Sequence, residues 1–263
     1  MRIQTALALL MLSTPALAGE VYSFTRQQQG DGLPTFKKGR VLVDGESYRM
    51  EVDPDLDPAY PFDVLIARDA SGQETGLYIE PRTYYQLKES LPGFVSSLFT
   101  LLPGGDESVK NVKLETFDKP EPEEISGMTA RRREIHLSYD ITVRIYKEKV
   151  PGKVRMEATY WMVEDKDLRL PRMLRPDIHT SIPEIDAKLD EALSKLRGFA
   201  VRQAVKVTAE SNQGPRRMQL YNVNIYDLKK TDAPSSLFEV PKGFRYEEPV
   251  FEGPGAPPIN PGR

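Results

Sequence analysis

Two histidines, no cysteine and 39 Asp and Glu residues are the stock from which this 263-residue chain could assemble acid–base or metal chemistry. His136 and His179 fall outside any H-E-x-x-H spacing, and two imidazoles without a thiolate do not make a structural zinc site. His136 lies on the polar side of an alternating segment and reads as a solvated surface residue; His179, between Pro176 and Pro183, reads as a loop residue ahead of a helix. The stretch VDPDLDPAYP sets Asp53, Asp55 and Asp57 at the first three ligand positions of a calcium loop. Pro58 then occupies the sixth position, where the turn needs Gly, and Val64 the twelfth, where a bidentate Glu closes the site. An acidic, proline-rich turn is the better reading. Gly152-Lys153 is followed by Val154 instead of the Ser or Thr of a phosphate loop, and neither a G-x-S-x-G elbow nor an S-x-x-K motif occurs. So many carboxylates place some pair close together in any fold, and spacing singles out none of them. The expectation is a non-enzymatic protein with no catalytic residue, no metal and no cofactor.

Charge points the same way for nucleic acid. The net charge is -3 and the pI about 5.7, whereas a general nucleic-acid binder carries a basic balance. Basic clusters at Lys37-Lys38-Gly39-Arg40, Arg131-Arg132-Arg133 and Arg216-Arg217 read as solvated strand ends. The sharper alternative is peripheral contact with anionic lipid head groups at an envelope surface. The N-terminus, MRIQTALALLMLSTPALAGE, combines Arg2, a short apolar run and Ala16-Leu17-Ala18, the pattern of a secretory signal peptide cleaved after Ala18. No later segment approaches the roughly 18 apolar residues of a membrane span, so the expected location is the periplasm, as a soluble monomer.

The segment with most to explain is PGFVSSLFTLLPG, Pro92 to Gly104, which carries no charge in a chain where 29% of residues are charged. Ser90 can cap a helix here, Pro92 fits its first turn, and Pro103-Gly104 stops it. Phe94, Val95, Leu98, Phe99, Leu101 and Leu102 surround that helix almost completely. Leaving six such side chains in water would forgo about 10 kcal/mol. They are the candidate lining of a hydrophobic ligand cavity, or else plain core.

The elements that would hold such a helix are strands. HLSYDITVRIY (136–146) alternates without a break, with Leu137, Tyr139, Ile141, Val143 and Ile145 on one face. KVRMEATYWMV (153–163) does the same, and the two form a hairpin turning near Glu148 to Gly152. GRVLV and SYRMEVD flank an Asp44-Gly45 turn, with Tyr48, Met50 and Val52 inward; DVLIARD and GLYIEPRTYYQLK flank a loop at 70–73. Further strands are predicted at EVYSFTRQQQ, VKNVKLETF, AVRQAVKVTAE and RRMQLYNVNIYDL, nine or ten in all, as an antiparallel sheet covered on one side. SIPEIDAKLDEALSKLRG (181–198) reads as an amphipathic helix with a Ser181/Glu184 capping box, Gly198 at its C-cap, and Ile182, Ile185, Leu189, Leu193 and Leu196 as its apolar stripe. Asp118 to Gly127 reads as an acidic surface loop and 249–263 as a disordered Pro/Gly-rich tail, leaving one domain over 19–248. Arg-Met-Glu occurs twice, at 49–51 and 155–157.

Taken together, the leader, the absence of cysteine, the hairpin GRVLVDGESYRMEV, the strand ending GLYIEPRTYYQLKE and the late LFEVPKGFRYEEP resemble the exported bacterial families grouped with the LolA-like and LolB-like lipoprotein carriers. That resemblance implies a mainly β (α+β) fold: a curved antiparallel sheet or incomplete barrel with a few helices on its concave side, able to hold acyl chains. It implies a periplasmic carrier for a lipid or other hydrophobic ligand, in outer-membrane lipoprotein or lipid trafficking, with lipid or lipoprotein acyl chains and envelope proteins as partners. The competing readings are a periplasmic interaction or sensor module with no small ligand and, ranked last, an envelope hydrolase using an acidic pair.

Overall fold

The computed structural model describes residues 18–30, 35–53, 62–68, 73–87, 108–145, 148–168, 170–176, 178–180, 182–211 and 214–248. Twelve strands follow one another as β1 (Ala18–Gln29), β2 (Thr35–Asp44), β3 (Ser47–Val52), β4 (Val64–Ala67), β5 (Glu74–Tyr78), β6 (Thr83–Gln86), β7 (Ser108–Ile125), β8 (Met128–Ile145), β9 (Glu148–Val163), β10 (Phe199–Ser211), β11 (Gly214–Asp232) and β12 (Arg245–Tyr246). Among the described residues one α-helix, α1 (Pro183–Ser194), lies between β9 and β10.

The strands form a single sheet in the order β12-β6-β5-β4-β3-β2-β1-β11-β10-β9-β8-β7. Two meanders, β1 to β6 and β7 to β11, are joined where β1 pairs antiparallel with β11. The sheet is large, open and curved, and does not close into a barrel. Its long strands bend because the ladders slip repeatedly: register shifts fall at Val21/Ser23, Ala200/Arg202, Ala209/Ser211, Lys110/Lys113 and Asp118/Pro122. Each extra residue raises the local twist and bends its strand.

Alternation decides the faces. Tyr22, Phe24, Val41, Val43, Tyr48, Met50, Leu137, Tyr139, Met156, Val205, Val207 and Val223 are all buried in one continuous cluster, which defines the inner face. The inward placement of Tyr48, Met50 and Val52 follows the expected pattern. On that face α1 buries Ile185, Leu189 and Ala192, and the segment before it buries Leu174 and Ile178.

Several sequence expectations are corrected. β8 runs to Ile145 and β9 starts at Glu148, pairing Ile145 with Glu148, so 148–152 is strand rather than the turn. Pro151 pairs with Thr142 of β8, and among the described residues the β9–β10 ladder ends one residue away, at the Gly152–Ser211 pair. GLYIEPRTYYQLK is not one strand: Pro81 and the positive φ of Arg82 (53°) turn it, and β5 pairs with β6. The acidic stretch 118–125 is the far end of β7 rather than a loop; it shifts register around Pro120 and closes on β8 through Ser126 and Gly127, both at positive φ. Pro120 and Pro122 fit there because β7 is an edge strand.

The sheet is also covered on both faces at one end. β4 is buried at all four positions, because Val64, Ile66 and Leu77 form a second cluster with Val240 and Phe244 of the C-terminal segment. That segment adds β12 to β6 in parallel, the one parallel pairing among the described strands. At α1 the capping box is replaced. Ile182 holds the N-cap position without a side-chain cap, and the Asp186 carboxylate accepts from both the N–H and the hydroxyl of Thr180, each at 2.7 Å. Gly198 lies beyond the Lys195 C-cap; its φ is +93°, and a Cβ there would meet the Val163 carbonyl oxygen at 2.3 Å. The leader, the expected helix at 90–104, the residues Asp55 to Asp57 and the tail 249–263 lie outside the described residues.

Candidate ligand-binding face

Cross-strand register builds the inner face row by row. One row runs Tyr22–Val41–Met50–Leu65–Gly76–Tyr85 across β1 to β6. Gly76 is required there, since a Cβ would sit 2.1 Å from the Phe62 ring that fills the space above it. A second row runs Leu114–Leu137–Met156–Val207–Gln219 across β7 to β11. A third runs Ile135–Ala158–Val205–Tyr221–Gln28, and a fourth runs Arg133–Tyr160–Gln203–Val223–Arg26–Lys37. The face is therefore apolar over most of its width and turns polar where β9, β10, β11, β1 and β2 bring these last two rows together.

That corner has its own geometry. The Arg26 guanidinium lies over the Tyr221 ring, 5.3 Å from its centroid, and donates to Gln28 Oε1 at 2.7 Å. Gln203 Nε2 donates to the Leu174 carbonyl at 3.1 Å, and the Tyr221 hydroxyl donates to the Met173 carbonyl at 3.3 Å. The turn over 172–174 is thereby held down across β10 and β11. Burial pushes the Tyr221 phenol well above its ordinary range, with Arg26 acting in the opposite sense. Tyr160 is raised too, by burial first and by Tyr221 second, and its buried hydroxyl has no hydrogen-bond partner among the described residues. At the other end of the face the Tyr48 hydroxyl donates to the buried Glu74 carboxylate.

The residues singled out from the sequence are elsewhere. Phe94, Val95, Leu98, Phe99, Leu101 and Leu102 all lie outside the described residues. His136 is on the outer face, 3.4 Å from Glu134 and against the Phe117 ring, and His179 is exposed. The arginine triplet is matched by carboxylates: Arg133 bonds Asp118 and Glu164, Arg132 pairs with Glu123 and Glu134, and Arg131 reaches Glu164. Trp161 is on the opposite strand face from Tyr160 and Met162, donating to Glu123 at 2.8 Å with Arg202 stacked on its ring, and it packs only partly buried against the edge of the core cluster.

Arg26, Gln28, Tyr160, Gln203 and Tyr221 were missed by sequence reasoning, although a signal existed. In EVYSFTRQQQ the apolar parity of Tyr22 and Phe24 continues onto Arg26 and Gln28, and in AVRQAVKV the inward parity of Val201 and Val205 includes Gln203. Polar residues on an apolar parity mark where a buried face stops being plain core. Among the described residues no three His, Asp or Glu side chains group around a shared metal position, and no helix is long and apolar enough to cross a membrane.

No protein-family model and no curated protein matches the chain. Among solved structures it is similar to a LolA superfamily protein from Nitrosomonas europaea, at 12% identity and a TM-score of 0.31 over 86% of this chain and 91% of that one. It matches PNGF-II equally, at 12% identity and a TM-score of 0.31, covering 86% of this chain but 30% of that protein. The first is the superfamily that the hairpin motifs resemble; at so low a TM-score neither match bears on fold or function, and the architecture rests on the strand register.

Proposed function

We propose that the protein is an exported, non-enzymatic binding or carrier protein that holds a lipid or other hydrophobic ligand against the inner face of its sheet. The observation that supports this reading is the width of that face: one apolar row crosses β1 to β6 and another crosses β7 to β10 of an open sheet, far beyond the three side chains that α1 buries. A sheet that exists only to fold is covered by elements of matching size. Here the Phe94–Leu102 segment would supply a movable part of the cover, giving way to acyl chains and closing behind them. The leader would deliver the chain to the periplasm, where lipid or lipoprotein acyl chains are the cargo class.

Native mass spectrometry of the chain beginning at Gly19, purified from an exporting host and followed by organic extraction, tests this. The expected result is a stoichiometric adduct that extracts as phospholipid or free acyl chain. A clean apo mass, with no uptake when lipid is added, would overturn the carrier reading. Trp161 serves as an internal control: it sits on the outer face, so its emission should not move when the inner face is loaded.

A further inference from the structure

We infer that the polar corner of the inner face is an anion site, and that the ligand is an anionic amphiphile whose carboxylate or phosphate is held by Arg26 while its chain lies along the apolar rows. This inference rests on the carrier reading and narrows it from any apolar ligand to one with a charged head.

Arg26 is partly buried on the same face as Phe24, Val223 and Tyr221, in surroundings that penalise an uncompensated charge. Yet no carboxylate among the described residues forms an ion pair with it, in contrast to the Arg131–Arg133 triplet, each member of which has at least one. Its described hydrogen-bond partners are both neutral, the Gln28 amide oxygen at 2.7 Å and the Tyr221 phenol. Its Nε–H is buried and meets no acceptor among the described residues. An Nε–H and an Nη–H on one edge of a guanidinium form the planar fork that takes a two-oxygen anion side-on. The Tyr221 ring beneath holds that fork in plane.

A second, independent observation points into the same corner. Tyr160, 4% exposed, shares the row of Arg26 across Gln203 and Val223, and its hydroxyl is a buried donor with nothing among the described residues to receive it. Buried hydroxyls are satisfied in the great majority of folded proteins. Tyr221 links the two: the Arg26 guanidinium lies over its ring and hydrogen-bonds its phenol, and Tyr221 in turn acts on the Tyr160 phenol. The rows on either side of this corner then give the chain its path, toward Phe24 and Tyr22 in β1 or toward Val205 and Ala158 in β10 and β9.

The test compares a fluorescent polyene fatty acid with its methyl ester on delipidated protein, wild type against Arg26→Gln. The acid is expected to bind wild type at least about tenfold more tightly than the ester, the worth of one charge-assisted hydrogen bond. Arg26→Gln should remove that preference while leaving ester affinity within about twofold. Should Arg26→Gln fail to fold, Arg26→Lys keeps the charge but loses the fork and should weaken the acid several-fold; Tyr160→Phe should weaken the acid about threefold. Inorganic phosphate at millimolar concentration is expected not to displace the acid; displacement would assign the corner to a free anion and overturn the amphiphile. Equal binding of acid and ester, unaffected by Arg26→Gln, would overturn the anion site while leaving the carrier reading intact. Failure of wild type to bind either probe would overturn both.

Discussion

The triplet Arg-Met-Glu stands in β3 and again in β9, and the structure treats the two copies alike on one side of the sheet and differently on the other. Met50 and Met156 are both buried in the inner cluster, at 0% and 1% exposure. On the outer side Arg49 bonds Glu51 at 2.8 Å and reaches the Leu237 carbonyl at 3.4 Å, tucked beneath the C-terminal segment. Arg155 and Glu157 instead line an open polar groove with Lys206 and Thr208. Strand alternation is local, so identical triplets place their methionines identically. What lies over the arginines depends on which distant segment happens to cross that part of the sheet.

The inner side should therefore respond equally in both copies, and with the largest effects. Met50→Ala and Met156→Ala should each lower stability by about 3 kcal/mol in urea unfolding, the cost of truncating a buried Met. A loss below about 1 kcal/mol at either would show that the two stretches of inner face are not equivalently packed. Gly39→Ala isolates the surroundings of the first copy. An added Cβ would lie 2.0 Å from the Glu51 carbonyl oxygen and 2.9 Å from the Phe24 ring, so a loss of about 2 to 3 kcal/mol is expected by the same measurement. Unchanged stability would mean that β2 and β3 can part without cost.

The outer side should separate the copies. Arg49→Ala removes two contacts from a mostly covered side chain and is expected to cost about 1 kcal/mol, against less than about 0.5 for the open Arg155→Ala. Equal values would mean that the C-terminal segment adds nothing over β3. The smallest effect concerns pH. Burial, with Tyr85, Asp63 and Glu247 nearby, pushes Tyr78 up from 10.0 to about 12. The neutral phenol is the form the fold prefers, so its contribution is fully present below pH 10 and is lost as pH rises toward 12. Tyr78→Phe should flatten that part of the alkaline unfolding profile, and an unchanged profile would remove Tyr78 as its source.

Much of the sheet was legible because period-two patterning survives in nearly every strand. The β2–β3 hairpin was readable down to Tyr48, Met50 and Val52, since two-residue loops with glycine leave little freedom in register. The β5–β6 turn was hidden because Tyr84 and Tyr85 continue an aromatic, strand-like composition through Pro81, and only the positive φ of Arg82 shows the reversal. The acidic end of β7 looked like a loop because charge and proline usually mark one; an edge strand tolerates both. The binding corner was least visible. Arg26, Gln28, Gln203, Tyr221 and Tyr160 come from four strands, and what makes them a site is their register against one another.

By itself the amino-acid sequence determined which residues form strands, which parity of each strand is apolar, and that any cysteine chemistry is absent, because these follow from neighbours two to four residues apart or from composition. Only the tertiary structure decided that β1 pairs with β11, that the C-terminal segment covers β4 to β6 from outside, and that Arg26 stands on the inner face without a described carboxylate. The physical reason is that pairing between strands about 200 residues apart, like the solvation of a charge, depends on the whole path of the chain, which no local pattern encodes.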